Sequence, residues 1–216
     1  MIAAIHQPEY FPWPGFLDKA RRADVFILLD DVQFDRSSLQ HRARVLGPAG
    51  PAWLTIPFVH RHPQRLDELV PVDDRWRTKH LKTLQACYGR AAGWRAAAPR
   101  LEAFFAAPRA RVVDATIASI RMLFDAAGVT TPLRLASALP AQGGRSGLVL
   151  SLCQAVGATR YLSGRSGAAY LDGAAFAAAG VSVEVQAYAP PAYRPLPDGT
   201  RGLSALDAWL HGAALA

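Results

Sequence analysis

Three stretches of this chain carry side chains able to do chemistry, and each follows an apolar run. "IHQPEYFPWPG" (5–15) sets His6 and Gln7 at the first, and "LDDVQF" (29–34) sets Asp30, Asp31 and Gln33 at the second. "YLSGRSGAAYL" (161–171) sets Ser163, Gly164, Arg165 and Ser166 at the third. An imidazole in such a place can move a proton or orient a ligand, with the Gln7 amide in support. The two carboxylates can hold an amine, a hydroxyl or a cation. Adjacent side chains of an extended chain point to opposite sides, so only one of Asp30 and Asp31 enters a given pocket. In the third stretch the N–H groups of Ser166, Gly167 and Ala168 can meet a phosphate or carboxylate, with Arg165 adding charge. It is not a P-loop, since GxxxxGK[ST] is missing. Each stretch also has a structural reading: a histidine satisfied by backbone, a solvated loop start, a glycine-rich turn.

The elements that position these residues follow from apolar periodicity. "IAAI" (2–5) and "VFILLD" (25–30) read as buried strands. Between them "GFLDKARRAD" (15–24) reads as a helix with Phe16, Leu17 and Ala20 on one face and its charges on the other. Pro8, Pro12 and Pro14 fix the path of the intervening turn, and Gly15 suits a close helix start. Strand, helix and strand in about 30 residues make a βαβ unit with parallel strands and a right-handed crossover. Ligands of such sheets bind beyond the carboxyl ends of the strands, where His6, Gln7, Asp30 and Asp31 lie.

Residues 31–51 are polar and end in the turn cluster "GPAGP". "WLTIPF" (53–58) has strand character, with Pro57 at an edge or an end. A polar loop over 59–74 leads to a helix over 75–89, in which Trp76, His80, Leu84 and Tyr88 share a face. "PRLEAFFAAP" and "VVDATIASIRMLFDAAG" read as two more helices. The last third alternates: helix 147–158, strand 160–164, helix 167–180, strand 181–188, helix 204–212. The expected fold is one α/β domain over 1–216, a mainly parallel Rossmann-like or HUP-like sheet with helices on both faces and a helical insertion near 76–127.

The 216 residues are 51% hydrophobic and 19% charged, the balance of a globular chain. No apolar run approaches the roughly 20 residues that span a bilayer, and no secretory signal opens the chain, so the cytoplasm is the expected compartment. Cys87 and Cys153 do not make a disulfide framework. The net charge of +7 comes from arginines spread along an alanine-rich chain. The densest basic run, "RSSLQHRAR" (36–44), has no aromatic for base stacking, which argues against a nucleic-acid partner. No motif calls for a cofactor or a metal; "HRH" (60–62) is a short loop signal.

The βαβ opening resembles the HIGH-type nucleotidyltransferases and class I aminoacyl-tRNA synthetases, where a His-bearing turn at the first strand end meets nucleotide phosphates. Here no HxGH follows, and "PWPG" stands in its place. A closer resemblance runs through "IHQPEYFPWPGFLDKARRADVFILLDDVQF", "RSSLQHRARV", "WLTIPF", "WRTKHLKTLQACYG", "LCQAVGATRYLSGRSGAAYLD" and "LSALDAWL". Together these blocks resemble the WbqC-like family, from residue 5 to about residue 210. Its first motif is matched by His6, Gln7, Pro8, Asp30, Asp31, Gln33 and Phe34, with Tyr10 in the same block. Arg42 matches its second block, and Ser163, Gly164, Tyr170 and Leu171 a later one. The chain departs from the family at His41-Arg42-Ala43, at Arg194 and at His211.

Members of that family resemble components of O-antigen-type polysaccharide and natural-product gene clusters. The resemblance implies a small-molecule enzyme, most simply a transferase that adds an acyl or aminoacyl group to an amino sugar or related metabolite. A carrier-bound acyl group is among its candidate donors. His6 and Asp31 would be the catalytic pair. Gln7, Tyr10, Asp30, Gln33, Arg42, Ser163, Gly164, Arg165, Ser166 and Tyr170 would bind substrate. The alternatives are a nucleotide-dependent transferase or ligase with a degenerate HIGH-like turn, and a non-catalytic binding module. Oligomeric state is open.

Overall fold

The computed structural model describes residues 1–59, 61, 63–197 and 200–215, so the His60 and His62 pair lies outside the described residues. In chain order the elements are β1 (Ile2–His6), α1 (Pro14–Arg21), β2 (Val25–Leu28), β3 (Arg42–Gly47), β4 (Gly50–Thr55), α2 (Arg75–Tyr88), α3 (Trp94–Ala106) and α4 (Val112–Ala127). They continue with β5 (Leu133–Leu135), α5 (Ser146–Ala155), β6 (Arg160–Ser163), α6 (Arg165–Ala168), α7 (Gly173–Ala178), β7 (Ser182–Val185) and α8 (Ala205–Leu210). Contacts divide the chain into two compact units. The first is Met1–Gln7, Asp18–Asp31 and Val129–Ala189; the second is Pro8–Leu17, Val32–Gly128 and Pro190–Ala216.

The first unit is built on a five-stranded sheet in the order β5-β2-β1-β6-β7, parallel throughout. Its fold class is therefore the expected one. β1 sits at the centre because Ala3, Ala4 and Ile5 are apolar on both sides, as a strand covered on both faces requires. On one face Ala3, Ile5, Val25, Ile27 and Tyr161 pack with Val149, Leu152 and Cys153 of α5 and Phe176 of α7. β5 is not foreseen, since its three residues carry no period to detect. The single helix expected over 167–180 is two, because the Asp172 carboxylate accepts the Ala175 N–H and caps a new start.

The second unit pairs an antiparallel hairpin, β3 with β4, with helices α2, α3 and α4, which fill the region expected to be a helical insertion. β3 occupies part of the segment expected to be a polar loop. Its arginines hid a period-2 pattern, with Ala43 and Val45 buried and Arg42 and Arg44 partly exposed. β4 ends at Thr55, two residues before Pro57. Tyr10, Phe11, Trp76, His80 and Phe105 form an aromatic core with ring centroids 4.6–6.2 Å apart. Among the described residues no helix is long and apolar enough to cross a membrane.

Gly15 shows why the proline-rich turn needs a glycine. A Cβ there would lie 2.1 Å from the Trp13 ring. Gly15→Ala should therefore push the half-buried indole out of place and cost about 1 kcal/mol, the low end of the usual penalty for overpacking. A shift in Trp13 emission, isolated with the other tryptophans replaced by phenylalanine, together with a lower urea midpoint, checks this. An unchanged midpoint would refute it.

Candidate functional site

The strand order reverses direction at β1. From there the chain steps outward through β2 and β5, then returns to β6 and β7 on the other side. In doubly wound sheets ligands bind at such a switch point, beyond the carboxyl ends of the strands, and that strand edge is the candidate site here. Register sets what stands at its rim. Ala4 pairs with Leu162 and His6 with Leu28, so Ser163 stands one residue past the last β1–β6 pair. Neighbouring strands lie about 4.8 Å apart, which keeps the backbones of His6 and Ser163 within one residue of the same level. Strand alternation sends the two side chains to opposite faces, His6 with Ala4 and Ser163 with Tyr161.

Lys19 joins the two sides. Its side chain is buried at 2% exposure, and its Nζ donates to the Ile5 carbonyl at 2.8 Å. The same ammonium lies 5.9 Å from the centre of the Tyr161 ring, within cation–π range. Helical periodicity alone places all charges of α1 on the solvent face, and the buried Lys19 corrects it. It follows Phe16 by three residues and precedes Ala20, so it shares their buried stripe, and the Ile5 carbonyl accepts its hydrogen bond.

Burial, then the Lys19 cation, pushes the His6 pKa down to about 3, against a smaller upward pull from the Gln7 carbonyl. The ring is therefore neutral at ordinary pH. Its Nδ1 lies 2.9 Å from the Gln7 carbonyl oxygen, which can only accept, so Nδ1 carries the proton and Nε2 the lone pair. Gln186, one residue beyond β7, closes the same edge. Its N–H donates to the Ser163 carbonyl at 2.8 Å, and its side-chain amide donates to Asp18 at 2.7 Å.

The residues from 7 to 214 match the model of the WbqC-like protein family. The chain belongs to that family. The uncharacterized protein Rv1507c of Mycobacterium tuberculosis (strain ATCC 25618 / H37Rv) is 28% identical over 174 residues, covering 78% of this chain and 74% of that one. No solved structure matches the chain.

In this WbqC-like chain His6, Gln7, Asp30, Asp31, Ser163 and Gly164 come to the carboxyl edge of the first unit's sheet. Asp30 has a structural task there. Its carboxylate accepts the Ser137 N–H at 3.0 Å and the Ser137 hydroxyl at 2.6 Å, which fastens residues 136–138 to the end of β2. Asp31 follows it, half-buried. The glycine-rich turn is less of an anion cradle than its sequence suggests. α6 is a single turn of four residues, and the Ala168 N–H goes to the Gly164 carbonyl. Arg165, Ser166 and Tyr170 are exposed. A Cβ on Gly167 would come within 2.9 Å of the Ser163 hydroxyl, so glycine permits that close approach.

Three expected contacts belong to the second unit. Tyr10 is fully buried, with its hydroxyl 3.0 Å from His80 Nδ1, which makes it a core residue. Arg42 donates to the Ser37 and Ser38 carbonyls and lies 4.8 Å over the Trp53 ring. Gln33 is exposed and bridges Arg65 through the backbone. Lys19, Asp18 and Gln186 were missed. The one available signal was Lys19 itself, one of three lysines in the chain, at helical spacing from Phe16. Among the described residues no group of three or more His, Cys, Asp or Glu side chains is placed to hold a metal.

Proposed function

We propose that the chain is a small-molecule transferase whose reaction centre is the carboxyl edge of the first unit's sheet. It adds an acyl or aminoacyl group to the amine of an amino sugar or related metabolite, in surface-polysaccharide or natural-product biosynthesis. The observation that carries this reading is the buried Lys19 ammonium beside a neutral His6 at the switch point. The substrate class rests on the gene-cluster context that the family resemblance implies.

In this reaction the acceptor nitrogen attacks a thioester carbonyl. A C–N bond forms, the C–S bond breaks, and nothing is oxidised or reduced. Lys19 offers positive charge to the oxygen that becomes anionic in the transition state. His6 Nε2 takes the proton from the attacking nitrogen and returns it to the departing thiolate. A weakly basic imidazole takes this proton as the C–S bond breaks, when the nitrogen is becoming that of an N-protonated amide and is strongly acidic. Asp31 holds the acceptor amine before attack, and Gln7, Ser163 and Gly164 shape the rim.

A second reading, a nucleotide-dependent transferase or ligase, is favoured by one observation. Numbered within its own sheet, the strand order is 3-2-1-4-5, the order of the nucleotide-binding doubly wound folds.

The test supplies acyl-CoA and carrier-bound aminoacyl thioesters with a panel of nucleotide-linked amino sugars, and follows amide formation by mass. One pair should turn over without ATP. His6→Ala should then slow it by at least about a hundredfold, with the melting temperature nearly unchanged. Turnover that consumes ATP would establish the second reading. Binding without turnover for every pair would reduce the chain to a binding module.

A further inference from the structure

The second unit contains a cavity of about 610 Å³, a volume suited to a small organic ligand. Its walls come from the β3–β4 turn, the end of α2, residues 194–197 and the residue that follows α8. Leu46, Leu196 and Pro197 supply its apolar wall, and Cys87, Arg194 and His211 are its polar side chains. We propose that this cavity is a binding site for a small amphiphilic carboxylate, with its apolar body against Leu46 and Leu196 and its carboxylate on Arg194.

The geometry of the guanidinium carries this assignment. Arg194 Nε and Nη2 donate to the Asp207 carboxylate at 2.7–3.1 Å, and the Nη1 N–H groups are left for another acceptor. Asp207 has no exposure, and it also accepts the hydroxyls of Tyr88 and Tyr193. The guanidinium is thus held in one orientation before a ligand arrives, which lowers the entropy cost of binding. Asp207 is enclosed by its own donors, so Arg194 is the charged group that the cavity presents. A single guanidinium edge with apolar walls fits one negative charge on an apolar body better than a phosphate dianion. His211 donates Nδ1–H to the Asp207 carbonyl at 2.7 Å, which leaves Nε2 as an acceptor for a ligand hydroxyl or amide. Arg194 and His211, two of the departures from the family pattern, therefore meet in one pocket. Leu196 is 37% exposed, an apolar rim without a cover of its own.

Cys87 reports on occupancy, since its thiol lines the cavity while Cys153 is fully buried. Burial and the Asp207 charge raise the Cys87 pKa, so alkylation by iodoacetamide is followed at alkaline pH. Octanoate should slow alkylation saturably, by about tenfold near saturation, while octylamine leaves the rate unchanged. Arg194→Gln should abolish that protection. Leu196→Trp, which sets an indole across the apolar rim of the cavity, should abolish it in a protein of unchanged melting temperature, and this variant decides the matter if Arg194→Gln folds poorly. Absence of saturable protection would overturn the proposal. So would equal protection by octylamine, or protection that survives Leu196→Trp.

Discussion

Replacing Asp207 with alanine is expected to cost roughly 3–5 kcal/mol of stability, the range seen when one partner of a buried charge pair is removed. Asp207 lies on α8 with no exposure, and its carboxylate gathers Tyr88 from α2 together with the neighbouring Tyr193 and Arg194. Arg194 forms a fork at 2.7–3.1 Å, the Tyr88 hydroxyl donates at 2.9 Å, and the Tyr193 hydroxyl donates as well. The Tyr88 oxygen in turn accepts the Leu46 N–H at 2.9 Å, which ties β3 to α8 through one side chain. Burial and the Asp207 charge hold the Tyr88 phenol far above its ordinary pKa, so it remains a donor. Alanine would leave a guanidinium and two hydroxyls without their acceptor, and such unmade bonds cost more than the made ones contribute. Arg194 retains 22% side-chain exposure, so water can recover part of its share. Urea unfolding measures the loss, and limited proteolysis should find cleavage after Arg194 or Arg201. A loss below about 1 kcal/mol would mean that packing alone holds the C-terminal segment.

Stability should also fall as the pH drops from 6.5 to 4. His41 and His80 are buried, and burial pushes both pKa values down to about 4, with nearby cations adding to the shift. The unfolded imidazoles protonate near pH 6.5, whereas the folded ones stay neutral until about pH 4. Between those values the unfolded chain binds more protons, so acid favours unfolding, and above 6.5 these groups contribute no slope. At about 1.4 kcal/mol per pKa unit, each histidine can remove up to roughly 3 kcal/mol by pH 4. His6 acts in the same direction down to about pH 3. His41 and His80 differ in their surroundings. His80 donates Nε2–H to the Thr55 carbonyl at 3.1 Å and accepts the Tyr10 hydroxyl at Nδ1. His41 sits edge-on to Phe34 and Phe58, and its Nδ1 makes no hydrogen bond. His41→Leu should therefore fold well and flatten the acid limb, as followed by melting temperature against pH. A melting temperature constant from pH 6.5 to 4 would refute the assignment.

The sequence revealed the beginning of the sheet better than its middle. β1, α1 and β2 lie close to their expected positions because an apolar run, a helical stripe and another apolar run follow within about 30 residues. β3 escaped notice because Arg42 and Arg44 mask its alternation, and β5 because three residues carry no period. The candidate site was legible to the same degree. His6, Gln7 and Ser163 declare themselves as polar groups at the ends of apolar runs. Lys19 does not, because a lysine in an amphipathic helix reads as solvent-facing until a buried carbonyl is found for it. The Asp30 carboxylate looked available until Ser137, 107 residues away, proved to hold it.

Sequence alone determined β1, α1 and β2, that the first two strands run parallel, and that the polar groups of residues 6–7 and 30–31 share one edge. Those properties depend on side-chain period and turn chemistry, which act over a few residues. Tertiary structure alone decided that β6 lies beside β1, with Ala4 opposite Leu162 across 158 residues, and so that Ser163 stands beside His6 at the switch point. It also decided that Tyr10 is core, that Lys19 is buried and that Asp207 gathers Tyr88, Tyr193 and Arg194. Each of these rests on pairing between segments brought together by covering both faces of a sheet or closing a core. The free energy of that covering belongs to the assembled surfaces and leaves no local pattern in the chain.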